Sequence, residues 1–574
     1  MRRSLRQIVA MKALLIFVAT AAAAATWDAG LQGAAFHRRM QIELKEAVDE
    51  FLAASGRRRG SDGLDPCPRP PVPVPLPEKL PSAIVALIAK TRSDLDALFA
   101  KSNVTGGVAT LVYGDRVLLT HSYGSTRRPG DASGSAPDES TLFRIGSISK
   151  VFTDTILYQQ HEDGEVSLDD PIAKLAPDYA PAWPRGKTPT PRGGTLRDLG
   201  SHMAGLARYM PCTFGATCNI SVDTAVERIS HNWTLLYEPG SRLAYSNTGF
   251  SLLGQLLARK AGVTYEALLA ALAADLELSS TSTLPPDDLS KVAFGYQPGG
   301  TRVPLLDLGI TNPAGGIYST AADMAKVLSF LLRDGAMRAP GQPLDSATVR
   351  SWLNTRVWQN PSTLPDGIWY TDWGVPWQIL TANLEGVPAL SNFSRYYLIS
   401  KDGSIPGYNS QMVLQPDLKL GLFASMTTGE GRSVPFFSDV LVELGLKLVP
   451  SMLAYLTSVQ PTKLPPAPAD YLGTYYSEAF GGRLEVGLDP TGPFGKSTLI
   501  LRSNNLGWPE SQPIAWVRDD TFEMLPLPDA FCWTIEGGNN YVMHFSREAS
   551  SAADPVVAVS VEGITVYPAV LVKQ

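Results

Sequence analysis

The stretch FRIGSISKVFT, Phe143 to Thr153, sets a serine and a lysine three residues apart, directly after a glycine and at the head of an apolar helical pattern. Residues i and i+3 share a helix face, so the Lys150 ammonium can reach the Ser147 hydroxyl. A helix N-terminus also presents unpaired N–H groups and the positive end of the backbone dipole. Such a place favours an alkoxide and a lysine that is at least partly neutral, able to take the serine proton. The bland alternative is a surface serine followed by a surface lysine. Ser147 heads the only S-x-x-K in the chain.

Two further segments bear on that choice. Tyr245-Ser246-Asn247, in LYEPGSRLAYSNTGFSLLG, follows a Glu238-Pro239-Gly240 turn and precedes an apolar helix, and it is the chain's only Tyr-x-Asn. A phenol can relay a proton to a leaving group, and an asparagine amide can hold both a lysine and a substrate carbonyl. The alternative is a packing tyrosine beside an asparagine N-cap. Lys401-Asp402-Gly403-Ser404 lies within SKDGSIPGYNSQMVLQPD. At a strand edge, a lysine followed by a glycine can present a cation and a close-approaching backbone N–H to a substrate. The competing reading is a polar hairpin turn.

The whole chain sets the frame. Its 574 residues suffice for two or three domains, and 44% hydrophobic with 18% charged residues can bury a large core. A net charge of −6 gives no reason to expect nucleic acid or an anionic membrane as partner. MRRSLRQIVAMK is a basic leader, and Ala13 to Ala25 is a 13-residue apolar run ending in small residues. Together they read as a signal peptide cut near Ala25, with an uncleaved anchor as the alternative. Four sequons fit a eukaryotic secretory route, at Asn103, Asn219, Asn232 and Asn392. The four cysteines allow three pairings. The short PCTFGATC loop favours Cys212–Cys218, which leaves Cys67 to Cys532. The chain is therefore expected to be secreted.

Along the chain, Ile42 to Ala54 has helical spacing and PCPRPPVPVPLPEKLP reads as an extended linker. The spacing predicts a helix from about Ser82, then strands VATLVYGD and RVLLTHSYG turned by Gly114-Asp115. Helical patterns dominate to about residue 345, for example Phe250 to Ala261 and Ala321 to Leu332. Strands return at Gln411 to Gln415 and Leu420 to Met426. After PTKLPPAPAD, residues 470–574 show short β-like runs and turn glycines, predicting an antiparallel β domain.

Ser147, Tyr245 and Lys401, in this order and about 100 and 160 residues apart, resemble the serine β-lactamase and penicillin-binding-protein superfamily. The Tyr-x-Asn form is similar to its class C branch, with D-alanyl carboxypeptidase and esterase relatives. TLRDLGSHMAGL (195–206), NPAGGIYSTAADMAKVL (312–328) and the KDGSIPGYNS run support the resemblance, which covers about residues 85–450. It implies an α+β, β-lactamase/transpeptidase-like fold: an antiparallel sheet flanked by a helical region. The C-terminal β region resembles the lipocalin-like domain that some members append. The expected domains are residues 1–25 signal peptide, 26–81 extension with a proline-rich linker, 82–458 catalytic domain, 459–469 linker and 470–574 β domain.

The resemblance also implies roles. Ser147 would be the acylated nucleophile and Lys150 its base. Tyr245 and Asn247 would handle proton transfer and carbonyl positioning, with Lys401 supporting Tyr245. The N–H groups of Ser147 and Ser404 would form the oxyanion hole, beside Asp402 and Gly403. No cofactor or metal is implied, and the partner would be a small-molecule or peptide acyl donor. One departure stands out: the middle residue of the third motif is usually threonine and here is Asp402. A carboxylate there should repel a carboxylate-bearing donor, which points toward an esterase or amidase, or an acyltransferase, rather than a β-lactamase. A non-catalytic ligand-binding member is the non-enzyme alternative. A Ser-His-Asp hydrolase is disfavoured because no G-x-S-x-G elbow is present, and no histidine pair has metal-ligand spacing.

Overall fold

The computed structural model describes residue 73 and residues 75–574, apart from 102–103, 132–133, 183–192, 210–211, 213–216, 233, 298, 360–367, 384–394, 429–447, 460–463, 466, 478–481, 491–497, 504–511, 519, 525–541, 549–554 and 563–568. The leader, the Ile42–Ala54 pattern, most of the first proline-rich run, Asn103, Asn392, Cys67 and Cys532 lie outside the described residues. The chain divides into two compact units, with the boundary between Gln460 and Pro461.

The larger unit is built on an eight-stranded antiparallel sheet. Its strands are β1 (Val104–Tyr113), β2 (Arg116–Gly124), β3 (Trp358–Gln359), β4 (Ile368–Trp373), β5 (Gln378–Asn383), β6 (Arg395–Ile405), β7 (Tyr408–Gln415) and β8 (Leu420–Thr428). Their spatial order is β2-β1-β8-β7-β6-β5-β4-β3. The first and last strands of this sheet in chain order thus meet at the β1–β8 ladder, where Ala109 faces Ala424.

Helices cover both faces of this sheet, which explains why β7 and β8 are buried along their whole length. Successive residues of a strand point to opposite faces. Met412, Leu414 and Phe423 enter one core, while Val413, Leu422, Ala424 and Met426 enter the other. The second core is closed by α1 (Ser82–Lys101), through Ile84, Leu87, Leu95 and Phe99. The first is the larger and holds α2 (Ser149–Glu162), α3 (Asn247–Ala261), α4 (Tyr265–Asp275) and α5 (Ala321–Leu332). Helix α2 lies so deep that polar residues on every side of it are buried. A helix in that position is surrounded by protein rather than amphipathic.

Most local expectations are met. The helix from Ser82, the turn at Gly114-Asp115, the Ala321–Leu332 helix and the two late strands all form. Gly114 has φ 57°, the left-handed conformation a tight hairpin needs.

The C-terminal unit is a closed barrel of eight antiparallel strands: β9 (Gly473–Ser477), β10 (Gly482–Asp489), β11 (Thr498–Ser503), β12 (Gln512–Arg518), β13 (Thr521–Met524), β14 (Val542–Arg547), β15 (Val556–Glu562) and β16 (Ala569–Lys573). Each strand pairs with its sequence neighbour, and β9 closes the ring on β16 through Tyr475 and Lys573. Closure removes the sheet edges that would otherwise template association. Leu484, Val486, Leu499, Leu501, Ile514, Phe522, Phe545 and Val559 fill the interior, with Arg483 and Glu485 alternating outward. Among the described residues, no helix is long and apolar enough to cross a membrane.

Candidate active site

Ser147 sits in a one-turn 3₁₀ segment, Gly146–Ile148, which runs into α2. The serine therefore stands just before the α-helix rather than inside its first turn. Several contacts clamp this segment. Ser149 Oγ donates to the Gly146 carbonyl at 2.7 Å and accepts the Ile317 N–H at 3.1 Å. The Ile145 N–H bonds the Ile317 carbonyl at 3.0 Å, and Ser410 Oγ donates to the Ile145 carbonyl at 2.7 Å. Gly146 has φ 52°, and a Cβ on it would lie 3.0 Å from the Ser404 nitrogen. A side chain there would be strained and would push the third motif away from the serine.

The Lys150 side chain is fully buried and makes three contacts through Nζ. It lies 3.0 Å from Ser147 Oγ and 2.8 Å from Asn247 Oδ1, and it donates to the Ala314 carbonyl. Burial, followed by the charge of Lys401, pushes the Lys150 pKa well below the ordinary lysine value. Two of the three partners can only accept a hydrogen bond; the serine hydroxyl can also donate one. A neutral amine therefore satisfies all three, with its lone pair facing the Ser147 proton.

The second motif is positioned by a cap. Ser246 is the N-cap of α3, accepting the Gly249 N–H at 2.9 Å, and Asn247 is the first helical residue. The cap is the serine, and this frees the Asn247 amide for Lys150. His202 accepts the Ser246 N–H on Nδ1 at 3.0 Å and stacks on the Tyr245 ring at 4.1 Å between centroids. Burial and the nearby Lys150 and Lys401 charges hold the His202 pKa well below its usual value. A neutral imidazole results, packed against Tyr245.

The Tyr245 phenol stands where both Ser147 and Lys401 act on its protonation, with Lys401 Nζ 5.5 Å from its ring centre. Burial raises its pKa despite the Lys401 cation, so the group is a neutral phenol at physiological pH. Lys401 is fully buried on β6 and donates to Asp402 Oδ1 at 3.0 Å and to the Asp402 carbonyl at 2.7 Å. Burial opposes its charge, but Asp402 and Tyr245 outweigh it and the pKa is raised. The Asp402 carboxyl is likewise disfavoured by burial, yet Lys401 holds its pKa below the ordinary carboxylate value. The Asp402 N–H meets Gln378 Oε1 at 3.2 Å.

The third motif is thus a strand, not the hairpin turn of the competing reading. Its ladder with β5 ends at Ser400–Gln378, leaving that edge of residues 402–405 open. On the other edge the two-residue hairpin closes at Ile405–Tyr408, a hydrogen-bonded pair in such turns. Alternation then turns the Ser404 N–H away from β7, toward Gly146 and Ser147. Gly403 is required for the approach, since a Cβ would stand 2.0 Å from the Ile145 carbonyl oxygen.

Ser147, Lys150, Tyr245, Asn247, Lys401, Asp402, Gly403 and Ser404 therefore converge from three segments. Two contributors lack any local signal. Ala314 acts through its carbonyl. Arg208, an exposed residue whose carbonyl accepts the Asn247 N–H at 3.0 Å, holds its guanidinium 4.9 Å over the Tyr245 ring. Away from the site, Cys212 and Cys218 face each other with Cα atoms 6.1 Å apart, a span that a disulfide bridges. Asn219 and Asn232 are exposed. Among the described residues, no group of three His, Cys, Asp or Glu side chains could hold a metal ion.

A family model described as Beta-lactamase matches residues 91–440. A human β-lactamase-like 1 protein is 31% identical over 431 residues, which is 74% of this chain and 81% of that protein. A D-alanyl-D-alanine-carboxypeptidase/endopeptidase of Escherichia coli K12 is 27% identical over 62% of this chain and 87% of its own length. Among solved structures, a β-lactamase/D-alanine carboxypeptidase from Yersinia pestis shares the fold, with TM-score 0.50 and 24% identity over 65% of this chain and 99% of that one.

Proposed function

The chain belongs to the β-lactamase family of serine hydrolases, and on that premise we propose that it forms an acyl-enzyme at Ser147 on an ester or amide substrate and releases the acyl group to water. The observation that carries this reading is the Lys150 amine, fully buried, 3.0 Å from Ser147 Oγ and held by two partners that can only accept. Lys150 takes the hydroxyl proton as Oγ attacks the acyl carbon. The N–H groups of Ser147 and Ser404 receive the developing oxyanion, where one such donor is typically worth about 10²–10³ in rate. Tyr245, a neutral phenol between Ser147 and Lys401, passes a proton to the leaving group. Asn247 orients Lys150 and the substrate carbonyl.

Asp402 changes meaning here. Its carboxylate is engaged by Lys401, so the pair is close to neutral and repels an anionic donor less than the isolated side chain would. What remains of the departure is the missing threonine hydroxyl, which supports an ester or amide substrate over a β-lactam. We also propose that the chain is secreted, with sugars on its sequons, on the strength of its basic-then-apolar leader.

The test is intact-mass labelling with a fluorophosphonate, with a p-nitrophenyl ester and a chromogenic cephalosporin as parallel substrates. One adduct on the wild type, none on Ser147→Ala, and ester turnover exceeding cephalosporin turnover are expected. A folded wild type that takes no label would instead identify a ligand-binding member of the fold.

A further inference from the structure

Helix α2 holds a second ionisable group in its buried length. Asp154 follows Lys150 by four residues, so the two side chains lie one turn apart on one face. Asp154 is 0% exposed, and among the described residues neither of its carboxylate oxygens has a hydrogen-bond partner. Carboxylates taken out of water are ordinarily paired or multiply hydrogen-bonded. This one is sealed in by backbone: a Cβ on Gly200 would stand 2.5 Å from Asp154 Oδ1, with Val375 packed alongside.

The groups whose charge Asp154 shares are few. On its own helix they are Lys150 and Tyr158, and from α4 the phenol of Tyr265. Lys150 is the only cation among them, and its charge pulls against the burial that drives the Asp154 pKa well above the ordinary carboxylate value. Lys150 in turn is faced by Lys401 and Asp402 from β6, by Arg208 and His202 from the segment before α3, and by the Tyr245 ring at 5.0 Å. Its Nζ spends its contacts on Ser147, Asn247 and Ala314. Asp154 can therefore act on it only through space.

We propose that Asp154 is a positioning residue for the base, its carboxylate serving as the buried counter-charge for the ammonium that forms when Lys150 takes the Ser147 proton. The inference rests on the Ser147–Lys150 reading above. An amine stripped of water and facing Lys401 and Arg208 has little proton affinity, and a base with too little affinity is a poor acceptor in the transition state. A carboxylate one turn away returns part of that affinity without occupying any position on Nζ. The proton balance is simple: the hydrogen leaves Ser147 Oγ for Lys150 Nζ, then passes by way of Tyr245 to the leaving group. Asp154 keeps its own protonation state throughout. Because each charge makes the other tolerable in the dry interior, the two groups titrate as a coupled pair.

The experiment is a ¹³C NMR titration of the full-length protein carrying ε-¹³C-lysine, with the Lys150 signal assigned by its loss in Lys150→Met. Wild type is compared with Asp154→Asn and Asp154→Ala, with melting temperatures recorded for each. The Lys150 midpoint is expected to fall by about one pH unit or more in both variants, the shift that losing a neighbouring charge produces. The acid limb of fluorophosphonate labelling should move down with it, and the limiting rate should drop roughly tenfold. A midpoint in the folded variants within about 0.2 unit of wild type, well inside the shift a charged neighbour causes, would overturn the proposal and leave Asp154 as a neutral filler of the core. A shifted midpoint in a protein that never labels would remove the hydrolase reading alone. Normal labelling with an unmoved midpoint would remove the pairing alone.

Discussion

In the barrel, Arg547 donates through Nε to both oxygens of Asp520 at 3.0 Å and through a second nitrogen to Tyr471 Oη at 2.9 Å. Tyr471 Oη in turn donates to Asp520 Oδ1 at 2.7 Å. In the larger unit, Lys150 and Lys401 are both fully buried, and among the described residues the one carboxylate hydrogen-bonded to either of them, Asp402, is taken by Lys401. Both clusters take charge out of water. In the barrel the opposite charges answer one another, so the Arg547 pKa rises under Asp520. At the site one cation is left without a close hydrogen-bonded counter-charge, and its pKa falls. Matched burial makes a staple; unmatched burial makes a group ready to exchange protons.

The contrast can be broken hardest at Lys150. Lys150→Met should reduce fluorophosphonate labelling of Ser147 by about 10³-fold or more, as removal of a general base does. It should also remove a pH-dependent contribution to stability, because a buried amine held below its ordinary pKa is replaced by an apolar chain of similar shape. The sign follows from the depressed pKa. Between the native value and the ordinary lysine value the unfolded chain binds more protons, so wild-type stability rises as pH climbs toward about 10.4. The Met variant should lose that slope, as read by urea unfolding across pH.

The barrel should respond in the opposite sense. Arg547→Leu leaves Asp520 and Tyr471 without their shared donor. Because Asp520 is 30% exposed, water offsets part of the loss, and a cost of about 2 kcal/mol to barrel stability is expected. Labelling of Ser147 in the folded variant should be retained. A stabilised Arg547→Leu protein would contradict the matched-charge account.

The finest adjustment is at Arg208. Its exposed guanidinium adds positive charge at the mouth, where the Lys401–Asp402 pair adds little. Arg208→Gln should lower kcat/KM for a negatively charged ester by roughly three- to tenfold, with little change for a neutral ester of equal length. The difference should shrink at high salt. Equal losses on both esters would reduce Arg208 to a prop for Tyr245.

Much of the frame is legible in the chain because it rests on local chemistry. Ala321 to Leu332 is a helix from end to end since its apolar spacing and Thr320 cap are read within one segment. The short apolar run within Gln411 to Gln415 and the Pro416-Asp417 turn after it mark two strands for the same reason. Motif spacing singled out Ser147, Lys150, Tyr245, Asn247 and Lys401 as candidates, and the fold brings them together. Local reasoning erred on detail where two uses compete for one residue. Asn247 could have capped α3, but Ser246 does so, and only the demand of Lys150 for the amide distinguishes them. Asp402 read as a free repulsive charge because nothing in Lys-Asp-Gly-Ser shows that the lysine turns back on it. Arg208 and Gln378 carry no motif at all, and the Ala314 carbonyl lies in a segment quoted only for its resemblance, with no role assigned. Asp154 left one trace, the one charged residue in the run VFTDTILY.

The order of residues by itself determined which chemical groups exist and which can share a helical turn or a strand face: Ser147 with Lys150, Lys150 with Asp154, Gly403 beside Ser404. It also determined where a backbone must pass without a Cβ. Only the tertiary structure decided the protonation states, since these depend on how completely water is removed and on charges brought from far along the chain. Lys150 and Lys401 are 251 positions apart in sequence, yet the fold buries them around one Tyr245 ring, 5.0 and 5.5 Å from its centre. Coulomb energy falls with distance and rises as the dielectric drops, and neither quantity is written in a linear sequence.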